Sequence, residues 1–252
     1  MVVGIIHRGS GLGDQLFSYV ATRVRAADLG VDFGFVGEEN FKGVSFMGLD
    51  WGEQVDYRYH IEYPTGKLVI DNTHKLFVVD KPHFDPEFDF IEDGTVIDGY
   101  GAQDERYFEH RLPEIREWLK VEELFMPNDL CVINFRGGEF AVIPDLFLPK
   151  GYWGKGIEMM RAQYPGIKFE VHTDDLNLAE QFFPEFECIA SIGLNWQAVR
   201  YAKHLVISNS AFAIIPALLG GAKEIIAPHY WARRNTGQWS MPSNYYKRFT
   251  YI

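Results

Sequence analysis

Short apolar runs alternate with segments of helical period along much of this chain. The first run, Val2 to Ile6, leads into His7-Arg8-Gly9-Ser10-Gly11-Leu12-Gly13, and Leu16, Val20, Val24 and Ala27 follow at helical spacing. Asp14 stands where a helix N-cap belongs, and Gly30 closes the pattern. Val31 to Val36 resumes as a strand, so the chain opens with strand, glycine loop, helix and strand, the unit that builds a parallel sheet. From about 37 to 95 the periodicity is weaker, with strands expected at Lys67 to Asp71 and Leu76 to Asp80. Thr95 to Tyr100 reads as a further strand, and the helix expected from Asp104 to Lys120 should bend at Pro113, which cannot donate to the ladder.

Met126-Pro127-Asn128-Asp129 reads as a linker and divides the chain into residues 1–126 and 127–252. Beyond it, apolar strands at Leu130 to Phe135, Lys168 to His172, Glu187 to Ala190, His204 to Ser208 and Glu224 to Ala227 alternate with helical patterns. Five such strands predict a doubly wound parallel sheet, in which ligands bind beyond the carboxyl ends of the strands. Three of these ends are polar: Asn134-Phe135-Arg136-Gly137-Gly138-Glu139, His172-Thr173-Asp174-Asp175 and Ser208-Asn209-Ser210.

Composition narrows the partners. Of 252 residues, 47% are hydrophobic and 23% charged, enough apolar material for a packed core. The net charge of -11 argues against binding nucleic acid, which needs clustered cations to displace counterions. The run Ala211 to Leu219 is about half of the roughly 20 residues a membrane span requires, and no basic segment precedes an apolar core at the N-terminus. A cytoplasmic protein without a membrane span is expected. Cys131 and Cys188 lie in separate apolar runs without C-x-x-C spacing and read as free thiols.

Each polar cluster admits a ligand role and a structural one. The loop with Gly11 and Gly13 exposes N–H groups at a helix end, but a dinucleotide fingerprint would need glycine where Asp14 stands; the loop is either a tight turn with Asp14 as cap or part of a cleft. Arg136 can hold a diphosphate with its fork of donors, or form an ion pair with Glu139. His172-Thr173-Asp174-Asp175 can cap the next helix, or a carboxylate here can accept the two N–H donors of guanine. Ser208, Asn209 and Ser210, before Ala211 and Phe212, can hold phosphate oxygens or cap the next helix. No recognised metal-ligand spacing appears, and no G-x-S-x-G elbow surrounds the serines.

At these residues the chain resembles the α-1,2-fucosyltransferases of glycosyltransferase family 11, within the broader fucosyltransferase superfamily. Gly11-Leu12-Gly13-Asp14-Gln15-Leu16-Phe17 is similar to the family's GGLGNQ-type loop, and Gly99-Tyr100 with Gln103 to Phe108 to its GY-x-QSEKYF segment. Asn134 to Phe140 falls on the H-x-RRGDY signature, and Tyr152 on YY-x-x-A. Phe169 to Asp175 is similar to F-x-I-F-S-D-D, Ile207 to Phe212 to ISNSTFS, and Ile225 to Trp231 to I-x-x-P-x-x-W. Asn134 replaces the family's His, Gly137 its second Arg and Glu139 its Asp, departures that leave the donor's base and sugar open.

The resemblance implies a GT-B-like α/β protein of two Rossmann-like domains facing a cleft, with the glycan acceptor on the first and a GDP-sugar of the GDP-fucose type on the second. It implies inverting transfer with no required metal and no tightly bound cofactor. Carried over by position, Arg136 would hold the donor phosphates, Asp174 would face guanine, and Ser208 to Phe212 would line the diphosphate. Asn134, His172 and Thr173 complete the expected donor site, and Glu139 and Asp14 are the candidate bases for the acceptor hydroxyl. Two other classes compete: an NAD-type oxidoreductase, suggested by the glycine loop and Asp32 near the end of the second strand, and a non-catalytic sugar-nucleotide or glycan-binding protein, suggested by the lost His and Arg.

Overall fold

The computed structural model describes residues 1–55, 59–62, 67–70, 75–79, 84–99, 101–229 and 246–252. Asp71, Asp80 and Tyr100, the expected ends of three strands, and Trp231 of the closing motif lie outside the described residues. The chain divides into two compact units, Met1–Lys120 and Val121–Ile252. Val121 and Glu122 join the second because their carbonyls accept from Tyr201 Oη and Gln197 Nε2, both on a helix of that unit.

In the first unit the chain forms β1 (Val2–Ile5), α1 (Leu12–Leu29), β2 (Phe33–Val36), β3 (Tyr59–Glu62), β4 (Lys67–Ile70), β5 (Lys75–Val78), β6 (Thr95–Asp98) and α2 (Leu112–Trp118). Four of these strands make a parallel sheet in the order β2-β1-β6-β5. The chain runs outward from β1 to β2, crosses to the far edge at β5 and returns to β6, so the direction of winding reverses between β1 and β6. β3 and β4 pair antiparallel with each other, not with this sheet. Against the sheet lies α1, which buries Leu16, Val20 and Val24 of the positions its periodicity marks, while Ala27, in its last turn, is exposed.

Two local expectations are corrected. Asp14 is not the cap of α1: Gly11 occupies that place without a side-chain bond, and Asp14 lies within the first turn, where its charge favours the helix dipole. Gly30 does close the helix, in the left-handed conformation with φ 66° that glycine adopts without a Cβ penalty. The helix expected from Asp104 is broken into two 3₁₀ turns, Glu105–Tyr107 and Glu109–Arg111, followed by α2. Asp104 caps the first turn through the N–H of Arg106, and Pro113 sits in the opening turn of α2, where its missing donor costs nothing.

The second unit contains β7 (Leu130–Phe135), α3 (Gly138–Ala141), α4 (Lys150–Gln163), β8 (Lys168–Thr173), α5 (Leu176–Phe182), β9 (Glu187–Ile189), α6 (Ile192–Tyr201), β10 (His204–Ile207), α7 (Ala211–Leu219), β11 (Glu224–Ala227) and β12 (Thr250–Tyr251). All six strands are parallel, in the order β12-β11-β10-β7-β8-β9. This is the strand order of a Rossmann sheet, with its reversal between β7 and β10. The sixth strand was not expected; two residues are too short to carry a period. Beneath β7, Phe135 packs against Trp153 and Phe183 at ring-centroid distances of 5.4 Å and against Phe182 at 5.1 Å, anchoring the loop that follows. Cys131 and Cys188 are free thiols, and burial pushes both above their ordinary range. No helix among the described residues is long and apolar enough to cross a membrane.

Candidate functional site

The polar ends of β7, β8 and β10 lie side by side because these strands are adjacent in the sheet. At the reversal, Ser208 Oγ donates to Asn134 Oδ1 at 3.0 Å, and the Ser208 N–H to the Asn134 carbonyl at 3.1 Å. Both side chains are buried, so the pair joins the last turn of β7 to the chain leaving β10. Tyr152 of α4 clamps the same edge, its hydroxyl donating to the Ile207 carbonyl at 2.6 Å. Ser210 caps α7 by accepting from the Phe212 N–H, Ala211 begins that helix, and Asn209 donates to the Leu146 carbonyl at 2.8 Å.

One strand-end further, Arg136 is ion-paired to Asp174 and, at 2.8 Å, to Glu139. Asp174 also accepts from the Gly137 N–H at 2.8 Å, so both its oxygens engage the β7 loop. A guanine read by this carboxylate would have to take the place of one of these donors. Gly138 has φ 34°, and a Cβ there would fall on Asp174 Oδ2. The glycines after Arg136 thus admit the neighbouring loop, a requirement that exists before any ligand arrives. Arg136 stacks on Phe140 at 5.1 Å, and its buried Nε has no hydrogen-bond partner among the described residues.

The remaining members of the β8 cluster are turned inward. His172, only 1% exposed, places Nε2 2.7 Å from Glu170 Oε1 and Nδ1 3.0 Å from Asn195 Oδ1. Asn195, a polar residue on the buried side of α6 that belongs to no motif in the sequence, also donates to the Thr173 carbonyl at 2.7 Å. Thr173 Oγ1 accepts from the Asp175 N–H, and Asp175 caps α5 through the Leu178 N–H. His172 and Thr173 therefore shape the strand end, while Asp174 faces Arg136.

In the first unit, two separated motifs meet: Gln103 Nε2 donates to Asp14 Oδ1 at 3.3 Å. Gly11 and Gly13 lie at the cap and in the first turn of α1. Gln15, 1% exposed, donates to the carbonyls of His7 and Asn40 at 3.1 and 2.9 Å and accepts from the Lys42 N–H at 3.0 Å. The glutamine of this glycine loop is a structural tie. Unforeseen from the sequence, His7 Nε2 lies 2.9 Å from Asp98 Oδ1, a pair whose only linear sign is that each residue stands at the end of a strand. Asp32, by contrast, precedes β2 at its amino end, its carbonyl accepting from the Val2 N–H. It is not at the carboxyl end, where a ribose-binding acid belongs, and the NAD reading loses that support.

No family model matches the sequence and no curated protein is similar to it. Solved structures with a similar backbone include the Escherichia coli heptosyltransferase WaaC with ADP, at 15% identity and a TM-score of 0.51, covering 100% of this chain and 93% of the other. Another is the fucosyltransferase NodZ from Bradyrhizobium, at 14% identity and a TM-score of 0.50, covering 97% of this chain and 98% of the other. The fold they share with this chain is GT-B-like, built from two Rossmann-like units.

Proposed function

We propose that this protein is a glycosyltransferase that moves fucose or a related sugar from a GDP-sugar to a glycan hydroxyl with inversion and without a required metal. The observation that carries this reading is the gathering of Asn134, Ser208 and Arg136 at the carboxyl ends of β7 and β10, where a sheet of Rossmann order reverses. Ligands of doubly wound sheets bind at such reversals.

In this reading the second unit holds the donor. Arg136 takes the diphosphate with its planar fork and stabilises the charge that develops as the sugar leaves. Ser208, Ser210 and the N-terminus of α7 line the phosphates, and Asp174 reads the base in exchange for one of its present donors. Glu139, paired to Arg136, competes with the diphosphate for the guanidinium. The first unit holds the acceptor, with Asp14 on its lining, and receives the proton of the attacking hydroxyl. The protein works in the cytoplasm, where nucleotide sugars are available.

A thermal-shift comparison of GDP, GDP-fucose, UDP, CMP and NAD tests the donor class, because a ligand selective for the native state raises its stability. GDP or its sugar should stabilise most. A preference for NAD would refute the reading, and activity abolished by EDTA and restored by Mn²⁺ would refute its metal independence. Stabilisation by GDP with no transfer to any acceptor would mark a binding protein instead.

A further inference from the structure

Within the second unit, the groups after β7 that suit an anion are already filled, and a carboxylate of the protein fills them. Asp174 accepts from Arg136 through Oδ2 and from the Gly137 N–H through Oδ1, the latter at 2.8 Å. A guanidinium beside a backbone N–H is what a phosphate oxygen would take. The loop is shaped around the carboxylate: at Gly138, with φ 34°, a Cβ would fall on Asp174 Oδ2. The contact is also open to exchange. The Arg136 and Asp174 side chains are 27% and 29% exposed, so water reaches both partners. Beyond its bonds to Asp174 and Glu139, the guanidinium keeps a buried Nε without a partner among the described residues.

A diphosphate that takes Arg136 strips Asp174 of its charged donor, and a partly buried carboxylate left without that donor opposes binding. The loss is offset when the same ligand brings replacement donors. Guanine presents two adjacent N–H groups, on N1 and N2, which match the two oxygens of a carboxylate. Uracil presents one N–H flanked by carbonyl oxygens that a carboxylate repels, and pyrophosphate presents none. Glu139, the other partner of Arg136, is 70% exposed, so water replaces the guanidinium there with little loss.

We propose that Asp174 is an internal stand-in for the donor phosphate, and that its displacement couples the two halves of the donor: the diphosphate takes Arg136 as guanine takes Asp174. The inference rests on the donor-site reading above and adds a selection to it. The site favours an intact guanosine diphosphate over inorganic pyrophosphate and pyrimidine nucleotides, anions that would otherwise hold Arg136. Asp174 is thus a specificity-determining residue, and its effect on binding has opposite signs for ligands with and without guanine.

The test uses the full chain and its Asp174→Asn, Asp174→Ala and Glu139→Gln variants. GDP, UDP and pyrophosphate are the probes in calorimetric titrations, with melting curves as the fold control. Asp174→Asn keeps an acceptor for the Gly137 N–H and removes the charge that holds Arg136. Pyrophosphate and UDP should bind this variant up to about fivefold more tightly than wild type, the gain that release of a solvent-exposed ion pair allows. GDP should bind it at least about tenfold more weakly, because an amide cannot accept both guanine N–H groups. Asp174→Ala, with no polar side-chain atom, should give the same signs. Glu139→Gln, which frees Arg136 and leaves Asp174 in place, should tighten all three ligands alike.

Pyrophosphate binding that is unchanged or weaker in folded Asp174→Asn and Asp174→Ala would overturn the proposal, since the carboxylate would then orient Arg136 and not compete for it. So would a shift of GDP and UDP in the same direction. Both outcomes leave the donor-site reading standing. Wild-type protein that binds none of the three probes would overturn that reading, and the proposal with it.

Discussion

Arg136→Ala separates a phosphate-binding arginine from a structural one. The guanidinium is paired to Asp174 and Glu139, but its side chain is 27% exposed and that of Glu139 70%, so both pairs are in contact with solvent. Such pairs contribute at most about 1 kcal/mol each to folding. The loss of both, at most about 2 kcal/mol, lowers the melting temperature of a chain this long by no more than about 4–8 °C. The donor should lose far more. Truncating one partner of a hydrogen-bonded charge pair costs about 2–5 kcal/mol when the other is left buried and unpaired. Each 1.4 kcal/mol is about tenfold, so the GDP dissociation constant should rise at least about tenfold. Arg136→Lys should recover part of this, since a point charge reaches one phosphate oxygen where the fork reaches two. Calorimetric titration of GDP into each variant, with circular dichroism and melting curves as the fold control, measures both effects. A folded Arg136→Ala protein that binds GDP as the wild type does would refute the assignment. Arg136 would then be a tie between the loops after β7 and β8.

Glu139→Gln removes a carboxylate that competes with the donor for Arg136 and should tighten GDP binding by up to about fivefold, as about 1 kcal/mol of surface pairing allows; a tenfold loss in the same titration would contradict this. Gln15→Leu leaves the His7 and Asn40 carbonyls and the Lys42 N–H without the side chain that now satisfies them. These groups are part-buried, so at about 1 kcal/mol or less for each, the low end for an unsatisfied group, the substitution should lower unfolding free energy by about 2–3 kcal/mol in urea titrations. A loss below about 1 kcal/mol would show the loop to be held by other contacts. Burial, with Lys223 nearby, holds His204 below its ordinary 6.5, so the unfolded chain binds that proton first as pH falls. Its contribution is full above about pH 6.5 and is lost below it, and His204→Phe should flatten the decline in melting temperature from pH 6.5 to 5. His7 has the opposite sign: raised above 6.5, it stabilises at low pH and loses that effect as pH rises through its folded value, a slope that Asp98→Asn should abolish.

The hydrophobic pattern determined the alternation of strand and helix in the second unit and the bounds of β7 and β11, because each depends on the local match between side-chain period and backbone geometry. The three polar strand ends were equally visible. Their partners were not. Arg136 and Asp174 are 38 residues apart and His7 and Asp98 are 91, and a period says nothing about which strands become neighbours. The sheet order decides that, by bringing β7 beside β8 and β10 and β1 beside β6. It also divided each motif between roles. Asp174 and Arg136 meet at a strand end, whereas His172, itself expected in the donor site, and Gln15, next to Asp14, point inward and are spent on protein groups. Side chains of neighbouring residues leave the backbone in different directions, and only the packed structure determines which of them meets the core and which the ligand.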